Sequence, residues 1–259
     1  MAEEENLEQK VLQWLAREGY RLEYLTQEAF RDAGVRTTMS HYIESPDGKF
    51  REIDVSAFQD ASTESSVIML RALCECKYSM DKPWVLMLSG LSSSLFADWH
   101  SIPKSKPLQE LSSKIGGFEK TLEGSWHFAK DQPFAHNLIQ AFREKNRDAA
   151  FDSLQKISSA AWDCVETPER RGFLAYLVAI PCLVVEAQLF ASRFDSKENK
   201  FLVKKDSIWQ ALLGGLSRRY GCRCYPHFGS QRVRASNQNY LLQNNISYLP
   251  DVPAIPAGA

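Results

Sequence analysis

Two short segments near the start of the chain carry apolar residues at helical spacing. Segment 7–19 (LEQKVLQWLAREG) ends on Gly19, and segment 22–34 (LEYLTQEAFRDAG) ends on Gly34. The apolar positions are Leu7, Val11, Leu12, Trp14 and Leu15 in the first segment, and Leu22, Leu25, Ala29, Phe30 and Ala33 in the second. Residues three or four apart share one side of a helix, and glycine often ends a helix, so this pattern predicts two short amphipathic helices.

The following stretch changes to the residue types and the spacing of β-strands. Residues 35–44 (VRTTMSHYIE) and 50–58 (FREIDVSAF) flank the turn sequence SPDGK, so they predict a hairpin. Residues 67–79 (VIMLRALCECKYS) and 82–89 (KPWVLMLS) predict two further strands. Four predicted strands therefore follow the helical start of the chain.

The second half of the chain alternates between helical and strand-like segments. Residues 137–166 predict one or two amphipathic helices. Their predicted core stripe consists of Phe151, Leu154, Ile157, Ser158 and Ala161. Residues 175–190 (AYLVAIPCLVVEAQLF) are too apolar for a surface and too short for a membrane span, so they predict a buried strand or strand pair. The remaining expectations are a polar connection at 92–107, a short helix at 207–216, and a strand followed by a helix at 230–244.

Helices before and after a strand-rich stretch predict an α/β fold, with a mixed central β-sheet flanked by helices on both faces. The chain has 259 residues, of which 44% are hydrophobic and 24% charged, the balance of a globular protein with a core. No long Gly/Ser-rich or Pro-rich linker divides it, so we expect a single domain over residues 1–250. Residues 251–259 (DVPAIPAGA) predict a disordered tail.

The charge balance limits how the protein attracts a partner. With 31 basic and 32 acidic residues and a net charge of -1, the chain as a whole does not attract a polyanion, so a nucleic-acid site must be a local patch. The start AEEEN is acidic, unlike a signal peptide, and the longest apolar run contains Pro181 and Glu186. We therefore expect a cytoplasmic protein without a membrane span, whose six cysteines are reduced.

Charged residues interrupt two of the predicted strands. Alternation along residues 51–57 (REIDVSA) places Glu52, Asp54 and Ser56 on one face, and Ile53, Val55 and Ala57 on the other. Alternation along residues 71–77 (RALCECK) places Arg71, Leu73, Glu75 and Lys77 on one face, and Ala72, Cys74 and Cys76 on the other. If the two strands are neighbours, Asp54, Glu75 and Lys77 converge on one patch of the sheet.

Two carboxylates on adjacent strands provide hard oxygen ligands that suit Mg²⁺ or Mn²⁺. Such an ion polarises a phosphodiester and lowers the pKa of an attacking water, and a nearby lysine orients that water or neutralises charge on the phosphate. Asp54 and Glu75 are therefore candidate metal ligands, and Lys77 a candidate catalytic residue, for metal-dependent phosphodiester hydrolysis. The spacing alone fits a solvated strand face or a structural ion pair about equally well.

The sequence of this region resembles a known group of enzymes. A helix followed by AGVRTTMSHYIESPDGKFREIDVSAF and ALCECKYSMDKPWVLMLS is similar to the PD-(D/E)XK, or restriction-endonuclease-like, nuclease superfamily. Asp54 stands at the motif aspartate, and Glu75-Cys76-Lys77 at (D/E)XK. The segments GYRLEYLTQEAFRDAGV, REIDVSA and ECKYSMDKPWV resemble bacterial members that are themselves uncharacterised. The resemblance covers about residues 19–90, and Ile53 replaces the proline of the superfamily's name.

This resemblance implies a restriction-endonuclease-like core at about residues 19–90, with helical and strand additions at about 105–250. It also implies a Mg²⁺- or Mn²⁺-dependent endonuclease of DNA, or alternatively of RNA, in defence against foreign DNA or in nucleic-acid processing. The first core helix in the superfamily often carries a glutamate that faces the site. Glu23 is the first candidate for this role, Glu28 the second and Glu8 the third.

The same resemblance leaves two further matters open. Many nucleases of this fold pair two active sites, so a homodimer is compatible with the resemblance. Inactive and non-nuclease members leave a second function open, namely a non-catalytic module that keeps the fold to bind nucleic acid or a protein.

Two other groups of residues carry weaker hypotheses. Arg218, Arg219, Arg232 and Arg234 lie among aromatic and amide residues, which fits a nucleic-acid-binding patch but is also typical of a solvated face. The second group comprises Cys222, Cys224 and His227, together with Cys74 and Cys76, as zinc ligands. Their spacing matches no zinc module, so buried free thiols are the favoured interpretation.

Overall fold

Four helices and eight strands are present in the part of the chain that the structure describes. This computed structural model describes residues 2–44, 48–62, 66–92, 102–115, 133–142, 148–166, 175–206, 212–214 and 223–225. The helices are α1 (Ala2–Arg17), α2 (Tyr20–Asp32), α3 (Lys106–Lys114) and α4 (Ala149–Glu166). The strands are β1 (Arg36–Glu44), β2 (Phe50–Ser62), β3 (Val67–Ser92), β4 (Pro133–Gln140), β5 (Ala175–Asp195), β6 (Lys200–Asp206), β7 (Leu212–Gly214) and β8 (Arg223–Tyr225).

Strand β3 lies at the centre of one mixed sheet. Its first half pairs antiparallel with β2, up to the pair Val55–Cys74, and its second half pairs antiparallel with β4. Its other edge pairs parallel with β5 along most of its length, and a parallel pair needs a crossover connection, which here contains β4 and α4. β1 extends the sheet beyond β2, β6 beyond β5, and β8 and β7 beyond β4. The predicted α/β class with a mixed central sheet is therefore confirmed.

Helices cover both faces of this sheet. On one face, Ile157 of α4 packs in a buried cluster with Leu73 and Leu177. On the other face, Leu22 of α2 packs against Cys74 and its neighbours. Leu73 and Cys74 are adjacent in β3, so their side chains leave from opposite faces and each helix meets its own layer. The prediction that helices flank the sheet on both sides is confirmed for α2 and α4.

The buried side of α2 agrees only in part with the predicted one. Leu25 is 43% exposed, whereas Thr26 and Gln27 are buried. The Thr26 hydroxyl donates to the carbonyl of Leu22 at 2.7 Å and accepts from the Cys76 thiol at 3.6 Å, so its buried oxygen has partners. The apolar residues of α1 are exposed as well, namely Leu7, Val11, Leu12, Trp14 and Leu15. Leu22 and Phe30 of the predicted stripe do pack against the sheet, so apolar spacing predicted both helices and part of the buried side of α2.

Two predicted helical segments are strands in the structure. Residues 137–140 belong to β4, because they pair with Trp84 to Met87 of β3. Leu212–Gly214 form β7, which pairs with β8. Both pairings join segments that are distant in the chain, and such contacts override a helical pattern of local residues.

Two finer predictions are also corrected. The inward stripe of α4 passes through the buried Ala150 rather than Phe151, which is 52% exposed, while the other predicted stripe residues are buried. The two strands predicted at 67–79 and 82–89 form the single strand β3. Its pairing with β5 is irregular between Ser79 and Trp84, where the Ser79 hydroxyl donates to the carbonyl of Lys82 at 2.8 Å.

Several predicted segments lie outside the described residues. These are the strand and helix at 230–244, the tail at 251–259, residues 93–101 of the polar connection, and the parts of 207–216 that flank β7. Within the described ranges, no helix has the length and apolar character needed to cross a membrane.

Candidate active site

Asp54 lies at an interruption in the pairing of β2. The pairing of β2 with β3 ends at Val55–Cys74. In the pairing of β1 with β2, Met39 pairs with Val55 and His41 with Ile53, but Ser40 and Asp54 between them are not paired. Ser40 has a positive φ of 46°. The Oδ2 atom of Asp54 accepts a hydrogen bond from the backbone N–H of Cys76 at 2.7 Å. The Asp54 carboxylate therefore accepts the hydrogen bond of a β3 backbone N–H at the point where the backbone of β2 no longer pairs with β3.

This interruption changes the face on which Ile53 lies. Ile53 packs with Leu73 and Ile157 beneath α4, whereas Val55 packs with Cys74 on the α2 face. The predicted alternation of β2, which placed Ile53 and Val55 on one face, is wrong at Ile53. Strict alternation holds only for regular extended backbone, and the unpaired position between these two residues breaks it.

Glu75 and Lys77 lie on the α4 face of β3. The Glu75 side chain is 2% exposed, and its Oε1 lies 2.7 Å from the Nζ of Lys77. Cys76, between them, faces α2, where its thiol meets Thr26. The predicted alternation of β3 is therefore confirmed, and it gives the buried carboxylate a lysine beside it.

Lys156 of α4 contacts both carboxylates and was not among the residues predicted for the site. Its Nζ lies 2.6 Å from Oε2 of Glu75 and 3.8 Å from Oδ1 of Asp54. Glu75 Oε2 is a buried oxygen, and the ammonium of Lys156 is its partner in the described part of the chain. A signal for Lys156 was present in the sequence. It lies three residues after Ser153 and four before Ala160, both buried, so it borders the inward side of the helix.

Glu23 of α2 is close enough to the site to interact with it electrostatically. Burial raises the pKa of Glu23, and the negative charges of Asp54 and Glu52 raise it further, while Lys77 opposes them. The first sequence candidate on this helix is therefore brought to the predicted site. The second and third candidates, Glu28 and Glu8, are exposed residues of α2 and α1.

The charges of the site act on one another. Burial raises the pKa of Asp54, and Glu75 raises it further, while the hydrogen bond from Cys76 and the charges of Lys156 and Lys77 oppose the shift. Burial by itself would lower the pKa of Lys77, but the charge of Glu75 and its hydrogen bond outweigh that effect, so the pKa of Lys77 is raised. Lys77 is consequently a cation at neutral pH, and it is better suited to stabilising negative charge than to accepting a proton.

The donor atoms at this site fit a hard divalent cation. Asp54 Oδ1 does not take part in the hydrogen bond to Cys76, and Glu75 Oε2 is a buried oxygen whose partner is the ammonium of Lys156. Mg²⁺ commonly binds one or two protein carboxylates and keeps several waters, so these two groups suffice as protein ligands. No cluster of three or more His, Cys, Asp or Glu side chains suited to a metal ion was found in the described ranges.

An open groove adjoins the ion cluster on the α4 side. Its volume is about 380 Å³, and it is lined by Arg51, Asp152, Gln155, Lys156 and Ser159. Arg51 is held in place by Asp163 of α4, with Nε 3.1 Å from Oδ2. Lys156 therefore belongs both to the wall of the groove and to the carboxylate cluster. Asp54 and Glu75 are not among the residues that line the groove, so Lys156 is the residue that connects the groove with the two carboxylates.

The weaker hypotheses fall largely outside the described part of the chain. Arg218, Arg219, Arg232 and Arg234 are not among the described residues, and neither are Cys222 and His227; of Cys224, only the backbone in β8 is described. Burial raises the pKa of the Cys76 thiol to about 12, and a hydrogen bond with Cys182 together with burial raises that of Cys74. Both thiols are buried, with Cys76 bonded to Thr26 and Cys74 to Cys182, which favours a packing role.

Comparison with known proteins identifies no relative. The chain matches no protein-family model, no curated protein and no solved structure.

Proposed function

We propose that the protein is a metal-dependent nuclease that hydrolyses phosphodiester bonds of DNA, with RNA as the alternative substrate. The observation that carries this proposal is that Asp54 and Glu75, from neighbouring strands, lie within 3.8 Å and 2.6 Å of one and the same atom, Lys156 Nζ. Two carboxylates that share one cation can share a divalent ion in its place. Helix α2, the hairpin of β1 and β2, and β3 with its Glu75-x-Lys77 follow the order on which the PD-(D/E)XK resemblance rests, which supports a restriction-endonuclease-like core.

The side chains of the site would have different roles in the proposed reaction. Mg²⁺ or Mn²⁺, when bound by Asp54 and Glu75, would supply Lewis-acid activation of the phosphate and of a water. Lys77, whose pKa is raised, stays positively charged and neutralises charge that develops on the phosphate. Burial and the charge of Asp54 raise the pKa of Glu23, so this residue holds a proton more readily than an ordinary glutamate. It would assist proton transfer at the edge of the site.

A second candidate function has an observation in its favour. The two lysines of the cluster, Lys77 and Lys156, already balance the charges of Asp54 and Glu75 without any added ion. Such a compensated cluster is what a non-catalytic module would retain to hold its sheet and helix together while it binds nucleic acid or a protein. Metal binding distinguishes the two functions, because only the nuclease requires it.

The compartment and the assembly belong to the same proposal. Cys74, Cys76, Cys164 and Cys182 form no disulfide, which supports a reducing cytoplasm. The exposed apolar side of α1 supports a homodimer. Leu7, Val11, Leu12, Trp14 and Leu15 of this helix are exposed, and contact with a second copy of the chain would bury them. A role in defence against foreign DNA, or in nucleic-acid processing, would follow from the activity.

The test is a cleavage assay on single- and double-stranded DNA and RNA, with Mg²⁺, with Mn²⁺ and with a chelator. The wild-type protein is compared with Asp54→Asn and Glu75→Gln, and with Glu28→Gln as a matched control on an exposed site of α2. We expect cleavage that the chelator abolishes, a loss of at least about 10²-fold in the two site variants, and full activity in the control. Site variants that cut as fast as the wild type would reject the nuclease. Substrate binding without metal binding or cleavage would favour the second function.

A further inference from the structure

We infer that Lys156 is a tethered cation that occupies the place of the divalent ion in the metal-free protein and must leave when the ion binds. This inference rests on the proposed metal site. Lys156 Nζ lies 2.6 Å from Glu75 Oε2 and 3.8 Å from Asp54 Oδ1, the two oxygens proposed to bind the ion. Lys77 contacts the other oxygen of Glu75, Oε1, at 2.7 Å, so it can remain while Lys156 leaves.

The ammonium group and the ion cannot occupy this position together. A Mg²⁺ ligand oxygen lies about 2.1 Å from the ion, which is shorter than the contact that Lys156 makes with the same oxygen of Glu75. Both cations would therefore lie against the same oxygen atom, Glu75 Oε2, where their like charges repel at close range, whereas Lys77 contacts the other oxygen. Binding of the ion and release of Lys156 are consequently one event.

The structure also gives Lys156 a way to leave. Its side chain is 33% exposed and forms part of the wall of the groove next to Arg51 and Ser159. Its contacts in the cluster are ion pairs with Glu75 Oε2 and Asp54 Oδ1, and the divalent ion would replace both of them. A change of side-chain rotamer carries the ammonium into the groove without movement of α4, since a lysine has several rotatable bonds.

This exchange couples the ion to the substrate. Once in the groove, the ammonium of Lys156 offers a positive charge to a phosphate of a nucleic acid that lies there, beside Arg51, which is paired with Asp163, and beside Asp152. A substrate that holds Lys156 in the groove removes the competitor of the ion, so the substrate raises the affinity for the ion, and by linkage the ion raises the affinity for the substrate. The protein would therefore bind the metal weakly until a nucleic acid is present.

The test is calorimetric titration of Mn²⁺ into the metal-free wild-type protein and into Lys156→Met, Lys156→Arg and Lys200→Met. Lys156→Arg keeps the competing charge, and Lys200, which lies 3.6 Å from Glu198 in the β5–β6 hairpin, is a control for loss of a surface lysine. We expect Lys156→Met to bind Mn²⁺ about tenfold more tightly than the wild type, and the other two variants to bind like the wild type. A short DNA duplex should tighten Mn²⁺ binding by the wild type and have no effect on Mn²⁺ binding by Lys156→Met.

The outcomes separate the two proposals. If the wild type binds Mn²⁺ but Lys156→Met binds it equally or more weakly, the role of Lys156 is overturned and the metal site stands. If neither protein binds Mn²⁺, both are overturned. If Lys156→Met does not fold, the exchange is tested by an NMR titration of the wild type with Mg²⁺, in which the lysine ε-carbons are labelled with ¹³C. A shift of the Lys156 signal as the ion binds supports the exchange, and a signal that stays constant while the ion binds overturns it.

Discussion

The carboxylate of Asp54 accepts the backbone N–H of Cys76 at 2.7 Å, at the point where β2 and β3 cease to pair. One oxygen of Asp54 thus replaces a missing backbone acceptor, and the other points to Lys156, 3.8 Å away. The same side chain therefore has a structural role through Oδ2 and a candidate chemical role through Oδ1. Substitutions that separate hydrogen bonding from charge can distinguish these roles.

Asp54→Asn and Asp54→Ala should differ in stability. Asparagine keeps a carbonyl oxygen for the N–H of Cys76, whereas alanine leaves this N–H without its acceptor, at a loss of about 1–3 kcal/mol. We expect Asp54→Ala to be less stable than Asp54→Asn by that amount in urea unfolding of the metal-free protein. Both variants should lose Mn²⁺ binding equally, since each removes the charge. Equal stability of the two variants would mean that the hydrogen bond contributes nothing.

The stability of the wild type relative to Asp54→Asn should depend on pH. The pKa of folded Asp54 lies above its ordinary value of 3.8, so between these two values the folded protein binds more protons than the unfolded chain. The ionised carboxylate therefore destabilises the fold at neutral pH, and this effect is relieved as the pH falls through the raised pKa. We expect urea unfolding at a series of pH values to show that the free energy of unfolding of the wild type increases relative to that of Asp54→Asn as the pH falls. A constant difference between the two proteins would contradict the raised pKa.

Lys77→Ala should reduce turnover without loss of metal binding. Lys77 contacts Glu75 Oε1 rather than the two oxygens proposed for the ion, and its raised pKa keeps it charged. We expect cleavage to fall about 10²-fold or more, the scale of one charge stabiliser, while Mn²⁺ titration gives an affinity at least equal to that of the wild type. Lys200→Ala is the control for a lysine outside the site. A parallel loss of Mn²⁺ binding in Lys77→Ala would instead place Lys77 among the groups that hold the ion in position.

Lys104, just before α3, should make the stability of the protein depend on pH in the alkaline range. It is 4% exposed, its Nζ donates to the carbonyl of Ile102 at 3.0 Å, and burial lowers its pKa to about 8. Between this value and the ordinary 10.5 the unfolded chain binds more protons than the folded protein, so stability rises with pH. We expect the wild type to gain stability relative to Lys104→Met over this range. Lys114→Met, on the exposed end of α3, should show no such difference from the wild type.

The exposed apolar side of α1 should carry the contact between two copies of the chain. Leu12 is 58% exposed and Trp14 is 50% exposed, and a dimer that buries them gains the free energy of removing apolar surface from water. In sedimentation velocity we expect a dimer for the wild type and a monomer for Leu12→Glu. Phe151→Glu, at an equally exposed apolar position on α4, is the matched control and should remain dimeric. A wild-type monomer at high concentration would reject the contact.

Elements whose residue pattern is local could be predicted from the amino-acid sequence. The hairpin of β1 and β2 follows from two β-rich segments around SPDGK, and the faces of β3 follow from alternation, so Glu75 and Lys77 were correctly separated from Cys74 and Cys76. The inward stripe of α4 was correct from Leu154 to Ala161 because helical spacing repeats within a few residues. The proximity of Asp54 to Glu75 followed from the assumption that β2 and β3 are neighbours.

The remaining features could not be predicted, because they depend on contacts between segments that are distant in the chain. The parallel pairing of β3 with β5 brings α4 over the sheet, and only then does Lys156 meet Asp54 and Glu75. Residues 137–140 are a strand because β3 offers them an edge, and Ile53 changes face because the ladders open at Asp54. Periodicity records which side of an element is apolar, but the partner of that side is set by packing and register between elements, which no local pattern contains.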